Sequence, residues 1–145
     1  MNYRKPNMSP CKTPSARRPV EERIRSFEEV DLGYTPEQAL AEAERCLNCP
    51  DRYCAQRCPA HNHIPEFIAE IRKGDLQAAW ELLARTNPLM GISGRVCPYE
   101  QQCESNCTRG IKCEPVAIGR LERYVADWHR RQEAADETPP PSCGR

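Results

Sequence analysis

Four cysteines, Cys46, Cys49, Cys54 and Cys58, fall within thirteen residues of the stretch "CLNCPDRYCAQRCPA". Their spacing is C-x2-C-x4-C-x3-C-P. The bacterial ferredoxin run is C-x2-C-x2-C-x3-C-P, in which the fourth cysteine serves a different cluster from the first three. The present run is that pattern with two residues added. A second group follows after a helical stretch: Cys97, Cys103 and Cys107, spaced C-x5-C-x3-C. Three thiolates on one tight loop can hold three corners of an iron–sulfur cubane, and the fourth corner must come from another segment. On that logic Cys46, Cys49 and Cys54 need one distant partner, and Cys58 needs three.

Two [4Fe–4S] clusters require eight ligands, and these groups supply seven. Two side chains compete for the last place. Cys113 lies six residues after Cys107 on a loop containing Gly110. Glu122 sits four residues after Ile118 and three before Val125, which places a carboxylate beside an apolar helical stripe, where it needs a partner. A salt bridge to Arg120, Arg123 or another arginine is the plain structural alternative for Glu122. Zinc is the rival metal, but its structural sites favour pairs of short C-x2–4-C knuckles with histidine help. His61 and His63 follow Pro59 as loop residues, and His129 is far away. The spacing favours iron–sulfur.

These ligands must be positioned by helices. Thr35 is an N-cap candidate, with Pro36 at the first helical position and Gln38 closing a capping box. The helix so begun delivers Cys46 at its end. Pro65 opens a second helix that Gly74 closes. Asp75 caps a third, with Leu76, Ala79, Trp80 and Leu83 at helical spacing, and Asn87-Pro88 stops it. A last helix is expected from about Pro115 to Gln132, with Ile118, Leu121, Val125 and Trp128 as its apolar stripe. No alternating run is long enough to predict a strand. The fold class expected is mostly α: a small helical domain organised around two [4Fe–4S] clusters, alpha-helical ferredoxin-like.

The chain has 145 residues, of which 39% are hydrophobic, below the usual share of about 45–50%. So lean a core suggests that metal binding contributes to folding. Formal net charge is zero, which gives no electrostatic case for nucleic acid or membrane binding. The N-terminus has no apolar signal-peptide core, and no apolar run approaches a membrane span. A cytoplasmic address is the expectation, and reduced, clustered cysteines suit it. Residues 1–20 carry Arg4, Lys5, Lys12, Arg17 and Arg18 with no acid and four prolines, and are expected to form a flexible basic arm. Residues 21–131 should form the two-cluster domain and 132–145 a proline-rich tail or linker. The alternative function is a zinc-stabilised binding module that uses the basic arm. There is no glycine-rich dinucleotide loop. Arg45, Arg52, Arg57, Arg95 and Arg109 flank the cysteines, as cations near the sulfurs or as solvated side chains.

Four segments, "FEEVDLGYTPEQALAEAERCLNC", "CPAHNHIPEFI", "GRVCPYEQQCESNC" and "EPVAIGRLERYVADW", closely resemble the N-terminal iron–sulfur domain shared by three enzymes. These are the glutamate synthase small subunit, dihydropyrimidine dehydrogenase and the large subunit of NADH-dependent ferredoxin:NADP oxidoreductase. The resemblance covers roughly residues 21–131. It implies crossed ligation: Cys46, Cys49, Cys54 and Cys107 on one cluster, and Cys58, Cys97, Cys103 and Glu122 on the other. Glu122 takes the family's Gln or Glu position. Cys113 stands where the family often has glycine, and Cys11 and Cys143 match nothing. The resemblance further implies that FAD and NAD(P)H bind to a partner chain or a C-terminal region, and that a flavoprotein subunit and a further redox subunit are the partners. The chain would then be the electron-transfer component of an oxidoreductase and not catalytic alone.

Overall fold

Ile118, Leu121 and Val125 recur at spacings of three and four, and all three are buried. A stripe of this kind must be covered, and the helices of the domain are arranged to cover it. The computed structural model describes residues 6–136. In chain order its helices are α1 (Val20–Arg23), α2 (Pro36–Ala43), α3 (Tyr53–Gln56), α4 (Ile64–Lys73), α5 (Leu76–Ala84), α6 (Met90–Val96) and α7 (Ile118–Asp136). Three single 3-10 turns, Tyr99–Gln101, Glu104–Asn106 and Thr108–Ile111, lie between α6 and α7. Among the described residues the sole strand-like pairing is one antiparallel bridge between Arg17 and Asp31. The fold is helical, as expected. Among the same residues no helix is long and apolar enough to cross a membrane.

Local chemistry sets most of the boundaries. The capping box at α2 is complete: Gln38 N–H donates to Thr35 Oγ1 at 3.3 Å, and Thr35 N–H donates to Gln38 Oε1 at 2.9 Å. Gly74 ends α4 at φ +84, a left-handed conformation that glycine adopts without a Cβ penalty. Asp75 Oδ1 then accepts from Ala78 N–H at 2.9 Å and starts α5. In the α4–α5 hairpin, α5 packs against α7 and α4 against α2, while α7 also contacts α2 and α6.

Two features depart from the expectation. The last helix begins at Ile118, three residues after Pro115, and residues 121–126 are all buried, not a stripe alone. Helix α7 is enclosed because α6 packs on a side that the sequence leaves polar. A Cβ at Gly94 in α6 would lie 2.7 Å from the backbone nitrogen of Arg123, so only glycine permits this approach. Trp128 is half-buried, and His129 stacks on Trp80 with ring centroids 3.7 Å apart.

The N-terminal arm is also not free within the described residues. It forms a strap over the domain. Asn7 N–H donates to Glu44 O at 2.8 Å, Glu114 N–H to Pro10 O at 2.9 Å, and Tyr34 Oη to Thr13 O at 2.7 Å. Thr13 N–H donates to the buried Glu42 carboxylate at 2.6 Å. Proline-rich sequence keeps the strap extended, and its carbonyls answer buried arginines. Arg4 and Lys5, and the tail beyond residue 136 with Cys143, lie outside the described residues.

Candidate metal centres

The loop after α2 turns sharply enough to face its own cysteines. Asn48 and Arg52 both adopt φ near +50, a region that asparagine visits readily and arginine rarely. Cys46 N–H still bonds to Ala43 O, and Cys54 lies in the single turn of α3. Cys107 arrives from between two 3-10 turns. Cys46, Cys49, Cys54 and Cys107 together line one cavity, with Leu47 and Val116 among the apolar residues around them. Cys49 Sγ lies 3.3 Å from Thr108 Oγ1 and donates to it. Burial pushes the Cys46 thiol up to about 11 and the Cys54 thiol up to about 12. Ligation would therefore expel protons from this cavity.

A second cavity is lined by Cys58, Cys97, Cys103 and Glu122. Cys58 closes the α3 turn, Cys97 caps α6 in an extended conformation, and Cys103 precedes the 104–106 turn. Burial raises the thiols of Cys97 and Cys103. Glu122 projects from α7 and is 8% exposed. Its carboxylate accepts from Ser93 Oγ at 2.5 Å, Asn87 Nδ2 at 3.0 Å and Asn62 Nδ2 at 3.0 Å. Burial raises its pKa, and these three hydrogen bonds oppose the rise. Among the described residues the arginine pairing considered for Glu122 is absent: Arg123 reaches Glu29, Asp31 and Asp127, and Arg120 donates to Thr13 O.

The eight side chains thus divide four and four between two cavities. Cys113 lines neither; its N–H bonds to Arg109 O at 3.0 Å. Cys11 is exposed. His61, His63 and His129 line neither cavity. Among the described residues no three His, Cys, Asp or Glu side chains gather closely enough to hold a single metal ion. Four thiols around one cavity fit a group that takes one soft ligand at each of several separate corners, and three thiols with a carboxylate around the other fit such a group with one harder oxygen corner.

The flanking arginines act mainly in the scaffold. Arg45 is fully buried, pairs with Glu42 at 2.7 Å and donates to the carbonyls of Ser9, Glu114 and Pro115. Arg109 donates to Ser9 O at 2.6 Å, and Arg95 pairs with Glu29 and Asp127. Arg52 pairs with Glu66. Sequence reasoning missed the roles of Asn62, Asn87 and Ser93 around Glu122, because no local motif connects these positions with it.

The family model for "dihydropyrimidine dehydrogenase domain II, 4Fe-4S cluster" matches residues 23–134. The chain is 40% identical over 111 residues to the glutamate synthase [NADPH] small chain of Halomonas elongata, covering 77% of this chain and 24% of that one. It is 43% identical over 109 residues to the putative oxidoreductase AegA of Escherichia coli K12, covering 74% of this chain and 16% of that one. It is 39% identical over 105 residues to the NAD-dependent dihydropyrimidine dehydrogenase subunit PreT of Escherichia coli O157:H7, covering 72% of this chain and 26% of that one. The chain therefore spans about a quarter or less of the length of these relatives.

Proposed function

The chain belongs to the dihydropyrimidine dehydrogenase domain II, 4Fe-4S cluster family, and on that premise we propose that it carries two [4Fe–4S] clusters and relays electrons. Cys46, Cys49, Cys54 and Cys107 hold the first cluster. Cys58, Cys97, Cys103 and Glu122 hold the second. The observation that carries this reading is the division of these eight side chains between two separate cavities. When bound, each cluster supplies a one-electron redox centre.

The protein's part is spacing, burial and ligand choice. Cys54 and Cys58 lie four residues apart on the α3 segment and serve different cavities. Cys103 and Cys107, also four apart, do the same on the 104–106 turn. Two short covalent spans thus hold the two sites close together, as efficient electron passage requires. The donor and acceptor lie outside the chain. A flavin reduced by NAD(P)H, on a partner subunit or a following domain, fits one end, because relatives are named as NADPH and NAD-dependent enzymes. A further redox subunit fits the other. On this reading residues 21–131 form the two-cluster domain, and a reducing, cytoplasmic setting suits its thiols.

The test is metal analysis of protein purified or reconstituted anaerobically. The expected result is about eight irons and eight acid-labile sulfides per chain. A reconstituted protein that holds only zinc overturns the reading in favour of the zinc-stabilised module.

A further inference from the structure

Among the described residues, Glu122 is a buried carboxylate held by neutral donors alone. Asn87 Nδ2 and Ser93 Oγ both donate to Oε1, at 3.0 and 2.5 Å, and Asn62 Nδ2 donates to Oε2 at 3.0 Å. Each carboxylate oxygen offers about two lone-pair sites. Both sites on Oε1 are taken, and one on Oε2 is free. We infer that Oε2 is the atom Glu122 presents to the cluster in the second cavity, and that Asn62, Asn87 and Ser93 are the positioning residues that select it. This rests on the reading of Glu122 as a ligand.

The donors are themselves held in orientation. Asn62 is 2% exposed, and its Oδ1 accepts from Thr86 Oγ1 at 3.1 Å, so its amide nitrogen faces Glu122. The Oδ1 of Asn87 accepts from Leu89 N–H at 3.2 Å, which turns its Nδ2 toward both Ser93 Oγ and Glu122. Ser93 has one proton and two acceptors, Leu89 O at 3.2 Å and Glu122 Oε1 at 2.5 Å; the shorter bond to the carboxylate is favoured. Three separate segments therefore converge on one carboxylate: the loop before α4, the turn after α5, and α6. An arginine in their place would neutralise the carboxylate and weaken it as a ligand. Amides and a hydroxyl satisfy its burial and leave its charge available.

A hydrogen bond to a ligand atom withdraws electron density and favours the reduced cluster, so losing one favours the oxidised cluster. The experiment is an anaerobic redox titration of the full chain followed by electron paramagnetic resonance, with iron content and thermal melting measured alongside. In Asn62→Ala one cluster's midpoint moves to a more negative potential and its g-values change. The other cluster and the iron content stay at wild type. Ser93→Ala moves the same signal by less, because it acts on the oxygen that does not bind, and Ser93→Thr restores it. Should Asn62→Ala fail to fold, the Ser93 pair carries the test. If Asn62→Ala and Ser93→Ala lower only the melting temperature and leave both potentials in place, while Glu122→Ala alters one cluster, the positioning role is wrong and the ligand reading survives. If Glu122→Ala leaves both clusters unchanged, the ligand reading itself falls.

Discussion

The two cavities are made of different material. Three of the four thiols around the first come from one loop, whose turns depend on left-handed residues at Asn48 and Arg52. The second takes Cys97 from the end of α6 and Glu122 from the body of α7, where the two helices meet at Gly94. A loop cannot hold itself in place, because its backbone groups lack a ladder of partners. The N-terminal strap supplies the clamp: Ser9 O takes the guanidinium groups of Arg45 and Arg109, which flank Cys46 and Cys107 in sequence. The helix-built site needs no such strap beside Glu122, since packing against α6 and the amide cradle fix that carboxylate. The difference suggests that the first site is vulnerable to loss of polar clamps, and the second to changes in volume.

The largest expected effect tests where the clamp ends. Lys12 on the strap pairs with Glu104 at 2.5 Å, and the Glu104 side chain is fully buried. Glu104 lies between Cys103 and Cys107, so the turn it anchors serves both cavities. Lys12→Ala leaves a buried carboxylate without its cation. The expected cost is about 2–4 kcal/mol, toward the lower end for broken buried pairs because Lys12 is partly solvated. Burial already raises the pKa of Glu104, so protonation can relieve part of the loss as pH falls. Denaturant unfolding across pH checks both statements. Loss of a single cluster with no loss of stability would show that the turn is not shared in the way described.

Much of this was legible in the sequence where the cause is local. Thr35 with Gln38, Gly74, and Asp75 set helix ends through contacts three or four residues away, and those ends appear as expected. Helix α6 was not legible. Its sequence, MGISGRV, has two glycines and no stripe, and its helicity depends on contact with α7. The strap was missed because backbone carbonyls that receive Arg45 and Arg109 leave no mark on side-chain composition. Spacing singled out seven cysteines as candidate ligands but left Cys113 and Glu122 as alternatives for the eighth; resemblance, not periodicity, favoured Glu122. The Glu122 cradle joins positions 62, 87 and 93, and no local rule connects these.

A smaller effect tests the helix-built side. In Gly94→Ala the new Cβ would sit 2.7 Å from the nitrogen and 2.9 Å from the Cα of Arg123. These are backbone atoms, so α6 and α7 must separate. The expected cost is about 1–3 kcal/mol, the usual range for overpacking. Glu122 is the neighbour of Arg123, so the separation should also pull the carboxylate from Ser93. One electron paramagnetic resonance signal is expected to broaden or shift while the other keeps its wild-type form. Equal disturbance of both signals would mean that the two cavities are not mechanically independent.

The smallest effect concerns pH at the outer face of the helix-built side. Glu29 bonds to Arg95 at 2.6 Å and Arg123 at 3.1 Å, which lie on α6 and α7. The hydrogen bond from Arg95 holds the Glu29 carboxyl below its ordinary range despite a partial burial cost. A carboxyl with a depressed folded-state pKa stabilises the fold above its unfolded pKa of about 4.3 and loses that contribution as pH falls through the lower, folded value. The Glu29 side chain is 47% exposed, so water screens the pair and the contribution is only a few tenths of a kcal/mol, roughly the value of a surface bridge. Glu29→Gln is therefore expected to be slightly less stable than wild type at pH 7. The gap should narrow toward roughly pH 4 as the wild-type carboxylate begins to protonate. Denaturant midpoints of the two proteins at both pH values measure it. A gap that stays constant would assign the contact to hydrogen-bond geometry, which glutamine alters at any pH, and would remove charge from the forces that tie residue 29 to α6 and α7.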